Sequence, residues 1–318
     1  DFVTGVFFKP DGTKMYLVGR DGDDVHQYSL SAAWDVSTAS YDSKSKNVNS
    51  EEASPLTLSF KPDGTTMYVV GYSDDEVEQY TLSTPWDVST ASYDSKNFSV
   101  TDEEGSPFGL FFKPDGTKMY ITGSWTNTVF QYTLSTAWDV STASYDSKSF
   151  DASSEEGSVN GLSFKPDGTK MYVVGVNTDD VEQYTLSTAW DVSTASYDSL
   201  FFDVNSEEAT PSGLFFKPDG TKFYTIGVGD LVYQYSLATN ANKVSSTSLD
   251  DIIINYSSAT TYSTTGTFTS QILDTTVNSV YGIASWNTTD ASTTTVSVKV
   301  RTDSAANMSG ATAFTDTS

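Results

Sequence analysis

Five copies of one 52-residue unit predict an all-β fold: a β-propeller of four-stranded blades followed by a small antiparallel β-sandwich module. Three observations carry this reading. The phrase Phe-Lys-Pro-Asp-Gly opens at Phe8, Phe60, Phe112, Phe164 and Phe216, always at the same spacing. Each copy divides into four short runs rich in β-formers, and nothing recurs at helical spacing. From about residue 246 the repeat gives way to Ser/Thr-rich alternation. The expected domains are therefore 1–245, the propeller, and 246–318, a sandwich that stops short of its last strands.

The fourth copy is the clearest. Residues 160–165 read as a first strand with Leu162 and Phe164 on one side. Pro166-Asp167-Gly168 turns the chain, Pro presetting φ and Gly taking the left-handed position. Residues 170–175 form a second strand, 181–186 a third after a polar turn, and 196–203 a fourth. A β-helix would need shorter parallel coils, and one 52-residue sheet buries too little surface to stand alone. In the fifth copy the polar turn is one residue shorter, and Asn242 stands where Trp34, Trp86, Trp138 and Trp190 predict a Trp. Five blades closing a ring, and five blades of a larger ring, both remain open at this point. A fourth strand for the last blade has two candidate sources, residues 243–249 and 251–256. In the sandwich, residues 295–301 alternate Val296, Val298 and Val300 against Ser297, Lys299 and Arg301, and 266–270, 271–273 and 281–286 supply further strands.

Two runs carry a family resemblance. Gly-Leu-Phe-Phe-Lys-Pro-Asp-Gly-Thr-Lys-Met-Tyr at 109–120 resembles the strand–turn–strand core of YVTN-type propeller repeats of surface-layer and other secreted proteins. Gln-Tyr-Thr-Leu-Ser-Thr-Ala-Trp-Asp-Val-Ser-Thr-Ala-Ser-Tyr-Asp-Ser, at 131–147 and again at 183–199, resembles repeats in tail-fibre and surface proteins of marine phages and bacteria. The likeness spans residues 1 to about 237. It implies a propeller in an extracellular, cell-surface or virion setting. The phrase Gly-Thr-Phe-Thr-Ser with Val-Ser-Val-Lys-Val-Arg-Thr is similar to sandwich modules attached to such fibres.

Composition narrows the partners. A net charge of −25 repels phosphate backbones and anionic lipid, so nucleic acid and membrane insertion are not expected. No run approaches the roughly 20 apolar residues of a membrane span. Cysteine is absent, which removes disulfides and thiol chemistry. The chain opens at Asp1 on a repeat boundary and reads as a fragment or processed form.

Blade topology puts the turn between the second and third strands on the same face as the link to the next blade. That turn varies between copies: Arg20–Asp24, Tyr72–Glu76, Ser124–Thr128, Val176–Asp180 and Val228–Asp230. The residue after the next Val varies too, giving His26, Glu78, Phe130, Glu182 and, in the shortened copy, Tyr233. The opposite face is copied almost verbatim. Free drift of exposed turns and diversification for binding both account for this pattern. As a binding rim it comprises Asp23, Asp24, His26, Asp74, Asp75, Glu76, Trp125, Asn127, Phe130, Asp179, Asp180, Asp230 and Tyr233.

The pairs Glu51-Glu52, Glu103-Glu104, Glu155-Glu156 and Glu207-Glu208 extend this rim into an expected acidic crown. Calcium at Asp23, Asp24, Asp74, Asp75, Asp179 and Asp180 is the cofactor such oxygens suggest; solvated turns are the alternative, and no run matches an EF-hand. The repeated Trp-Asp-Val-Ser-Thr-Ala reads as packing between blades. His26, the sole histidine, reads as an exposed polar residue rather than a base. No nucleophile elbow, His cluster or phosphate loop occurs, so no enzyme is expected. The expected function is recognition of a cell-surface glycan or protein by the variable rim of a tail-fibre or adhesin-type protein. A purely structural subunit of a fibre, surface layer or virion coat is the alternative, and a channel-site hydrolase the third.

Overall fold

A computed structural model describes residues 2–237 and, beyond them, two short paired strands at Lys299–Val300 and Thr315–Asp316. The chain divides into two compact units, Asp1–Leu249 and Asp250–Ser318. The other segments expected to build the sandwich, and both candidate fourth strands of blade 5, lie outside the described residues.

The first unit is a five-bladed β-propeller. Blade 1 contains strands Val3–Phe8, Lys14–Gly19, Asp24–Leu30 and Ala39–Asn47, paired antiparallel in chain order. Residues 55–99, 107–151 and 159–203 repeat it, and blade 5 shows Pro211–Phe216, Lys222–Gly227 and Val232–Ser236. Short 3-10 turns such as Val36–Thr38 precede the fourth strands, each capped by the Asp that follows the repeated Trp.

Successive blades bury their facing sides against each other. Tyr16 and Val18 of blade 1 pack with Leu58, Phe60, Met67 and Val69 of blade 2, and the pattern recurs around the axis. The repeated Trp is a packing residue, as its constancy suggests. Each indole lies over the turn glycine of its own blade, and its carbonyl accepts a hydrogen bond from a tyrosine of the blade before. Tyr16 donates to Trp86 at 2.8 Å, Tyr68 to Trp138 at 2.7 Å and Tyr120 to Trp190 at 2.8 Å.

That repeated bond settles the blade number. Tyr224 of blade 5 donates to Trp34 of blade 1 at 2.8 Å, the same contact made at the other junctions. Gln234 of blade 5 likewise accepts from the Val36 amide at 3.3 Å, as Gln27 does from Val88. The fifth blade therefore meets the first, and five blades close the ring.

Closure of so small a ring brings the five first strands together on the axis. A side chain on Gly5 or Gly161 would strike the backbone of the next first strand. Buried polar groups tie this throat: Thr4 donates to the Leu56 carbonyl at 2.7 Å and Ser212 to the Thr4 carbonyl at 3.0 Å. The axis is thus pinched toward the variable face and widens toward the Phe-Lys-Pro-Asp-Gly face.

Candidate functional site

The variable turns do cluster on one face, but the structure sorts their residues into three groups. One is exposed, one fixes the backbone, and one is buried between blades.

Buried glutamates hold the turns in place. Glu52, Glu104, Glu156 and Glu208, expected as part of a solvated crown, are at most 4% exposed. Each turns inward and accepts amide hydrogens from the variable turn of its own blade. Glu104 takes Ser106 at 3.0 Å, Trp125 at 3.1 Å and Thr126 at 3.2 Å, together with the Thr126 hydroxyl at 2.6 Å. Glu156 does the same for Ser158, Asn177 and Thr178. A tight turn leaves amides without ladder partners, and a carboxylate is the acceptor that can serve several at once. The glycine ending each second strand makes room: a Cβ on Gly123 would stand 2.7 Å from the Glu104 carboxyl carbon. The acidic crown is therefore corrected to its first members plus the turn acids. Constancy of the Glu and Gly between copies was the available signal, the same one that marked the Trp.

A second group sets backbone shape. Asp23, Asp75, Asn127, Asp179 and Asp230 all take left-handed φ between 52° and 59°, where short polar side chains are tolerated. Asn127 and Asp230 accept hydrogen bonds from the Val159 and Val3 amides that open the next blade. Blades 2, 3 and 5 open instead with Pro55, Pro107 and Pro211, which have no amide hydrogen. Correspondingly, Oδ1 of Asp23, Asp75 and Asp179 is buried without a partner. Burial, with Glu52, Glu104 and Asp74 nearby, raises the Asp75 carboxyl above its ordinary range. Burial, with Glu156 and other acids around it, also raises Asp179. Asp180 is pushed up to about 6 by burial and by Asp203. Replacing Pro107 by Val is expected to supply the missing donor and lower the Asp75 pKa, measurable by carboxyl-carbon NMR titration. An unchanged titration would break the link between proline and orphaned oxygen.

As for calcium, among the described residues no three Asp, Glu or His side chains converge as a metal site would require. Asp24, Asp74 and Glu76 stand on the turns without joining Asp23, Asp75, Asp179 and Asp180 in such a group.

The third group faces neighbouring blades. Phe130, placed on the rim by sequence, is 8% exposed and packs edge-on against Tyr145 at 5.9 Å. Its counterparts Glu78 and Glu182 are each 3% exposed. Burial, with Glu76 nearby, pushes Glu78 up to about 7 despite a hydrogen bond with Tyr93. Burial and nearby acids push Glu182 up to about 7 against a 3.0 Å bond from Tyr184. His26 and Tyr233 hold the same position and are half-buried, His26 edge-on to Tyr41 at 5.6 Å. A hollow of 230 Å³ beside His26 is bordered by Tyr28, Tyr41 and Asp24.

The large apolar side chains exposed on the variable face are Trp125, at 67%, Leu231, Tyr72 and Val228, set among exposed polar residues that include Asp21, Ser73, Asp74, Asn177 and Thr178. The Trp125 ring lies directly over Gly105 of the inter-blade link, where a Cβ would come within 2.5 Å of Cε3 and Cζ3. One side of the indole is seated on backbone, and the residue as a whole is mostly free. Glu104 fixes the amides of Trp125 and Thr126, so the indole is carried by an ordered turn.

The axial channel has a different chemistry. Its cavity of 320 Å³ is lined by the first strands, the prolines of their turns and Trp138, and among the described residues no Asp, Glu or His lines it.

No family model matches the chain, and no curated protein matches it. Among solved structures it is similar to a "putative 6-phosphogluconolactonase" from Bacteroides uniformis ATCC 8492, at 13% identity and a TM-score of 0.47. That alignment covers 75% of this chain and 68% of the other. It is also similar to a functionally unknown protein from Desulfotomaculum acetoxidans DSM 771, at 13% identity and a TM-score of 0.46, covering 75% of this chain and 66% of that one.

Proposed function

We propose that this propeller is a non-catalytic recognition protein of the tail-fibre or adhesin kind, extracellular or virion-borne, that binds a cell-surface glycan on its variable face. The observation that carries the reading is Trp125: a large aromatic 67% exposed on a turn whose amides are held by a buried carboxylate. An exposed indole leaves apolar area in water, and an ordered one loses little entropy on binding. Its free side suits the C–H face of a sugar ring, while neighbouring Thr, Asn and Asp side chains supply hydrogen bonds for hydroxyls. The acidic field disfavours polyanions and leaves neutral glycans as the fitting class. On a glycan array the wild-type protein is expected to bind a restricted set of neutral sugars, and Trp125→Ala to lose at least tenfold in affinity without a change in melting temperature. Equal binding by the variant, or no binding by either protein, would refute the proposal.

One observation favours the structural alternative. Leu200 and Phe201 on the outer strand of blade 4 are 40% and 61% exposed, where blades 1 to 3 carry Lys and Ser or Asn. An apolar outer strand is suited to packing against another subunit. Regular polymers in electron micrographs, together with a blank array, would select that reading.

A further inference from the structure

The channel mouth on the opposite face is a largely apolar space among the described residues that the recognition reading does not use. Its geometry comes from two departures within the repeat. The residue before each Phe-Lys-Pro-Asp-Gly phrase is Phe7, Ser59, Phe111, Ser163 and Phe215 in blades 1 to 5. Where it is Phe, the ring fills the junction. Phe111 stacks on Trp190 at 6.3 Å and Phe215 on Trp34 at 6.3 Å. Where it is Ser59, that cover is missing, and Trp138 alone of the repeated indoles lines the cavity.

The space is a funnel: bonds from Thr4 and Ser212 draw the first strands together at its narrow end, and it widens toward the prolines of the turns. At 320 Å³ it lies at the lower end of the roughly 300–1,000 Å³ typical of small-molecule pockets. The turn lysines do not make it an anion site. Each is paired with the Asp of its own turn at 2.6–2.9 Å, and Lys165 and Thr169 hold Asp167 down at about 2.

Hydroxyls reach into this apolar space from Thr57, Ser59, Ser163 and Ser212. Ser59 and Ser163 line it, are 6% and 4% exposed, and their hydroxyls have no hydrogen-bond partner among the described residues. Neither oxygen is sealed from the cavity, so each is open there to donate to or accept from a ligand.

We infer that the funnel is a binding site for a small uncharged aromatic molecule of one or two rings bearing a single hydroxyl or carbonyl oxygen. The rings stack against Trp138 and fill the place of the absent Phe, and the oxygen bonds to Ser59 or Ser163. The site is separate from the glycan face, so either can fail without the other.

The test uses 2-naphthol as probe, with calorimetry on the full chain and NMR of the Trp138 indole, assigned by Trp138→Phe. Saturable binding with a shift at Trp138 is expected. Ser59→Phe and Ser163→Phe restore the residue that three blades already accommodate. Each is expected to fold with an unchanged or higher melting temperature and to weaken binding at least tenfold, while Trp125→Ala binds like wild type. Should one Phe variant fail to fold, the other and the Trp138 shift decide. No saturable binding up to the solubility limit, binding with no shift at Trp138, or undiminished binding by the folded Phe variants would overturn the inference.

Discussion

Glu104→Ala is expected to destabilise the propeller by about 2–4 kcal/mol, the sum of several part-buried donors losing their acceptor at roughly 1–3 kcal/mol each with partial rescue by water. The donors are the amides of Ser106, Trp125 and Thr126 and the Thr126 hydroxyl. None of the three amides has a strand ladder to fall back on. Glu104→Gln keeps one accepting oxygen and turns an amide nitrogen toward donors, so its cost is intermediate. Urea denaturation should report this as a lower midpoint at unchanged slope. Because the same carboxylate orders the turn that carries Trp125, the Ala variant should also bind glycan more weakly even at temperatures where it is folded. A loss below 1 kcal/mol would mean that the turn is held by something other than this glutamate.

The second large effect has the opposite sign. Glu78 and Glu182 are buried carboxyls pushed up to about 7 from the ordinary 4.5. Below about pH 4.5 each is protonated in both folded and unfolded chains and makes no pH-dependent contribution. Between 4.5 and about 7 the unfolded chain releases the proton while the folded one retains it, so stability falls as pH rises through that window. Above it the cost is complete. At 1.36 kcal/mol per unit, each group costs on the order of 2–3 kcal/mol at pH 8. Glu78→Gln and Glu182→Gln are therefore expected to raise the melting temperature at pH 8 by roughly 5 °C or more. At pH 4 the variants and wild type should melt nearly together. The difference between variant and wild type isolates these groups from the general acidic repulsion of the chain. A variant that gains nothing at pH 8 would place the carboxyl in contact with water.

Glu78 and Glu182 also illustrate how an interior position diversifies. The same site holds Phe130 in blade 3, packed on Tyr145, and the carboxyls of blades 2 and 4 occupy that apolar setting. In the sequence these residues looked like part of the variable rim, because they vary and follow a turn. Variation between copies reports tolerance at a position, and a position between blades tolerates change when its neighbours change with it. Trp125 and Phe130 lie five residues apart and end in opposite environments, one 67% and the other 8% exposed.

The blade itself was legible because its determinants are local. Period-two alternation, the Pro-Asp-Gly turn and the β-branched runs placed the second strand of copy four at 170–175, and the structure has it at Lys170–Gly175. The first strand falls one residue earlier than expected, at Val159–Phe164, and the third begins at Asp180. Constancy of the Trp likewise pointed to packing, because a residue that meets the same neighbour in every blade has the same reason to persist.

Local pattern could not count the ring or locate its interior. Closure at five blades depends on the angle each sheet makes with the next, and that angle is set by side chains meeting across a junction, such as Tyr224 with Trp34 at a separation of 190 residues. Nor could it separate Glu51 from Glu52. Adjacent residues of the same charge differ only in which one turns inward to the amides of its blade's variable turn. The repeat thus wrote the architecture of one blade into the chain, while contacts between blades chose which carboxyls, rings and hydroxyls face water, the axis or one another.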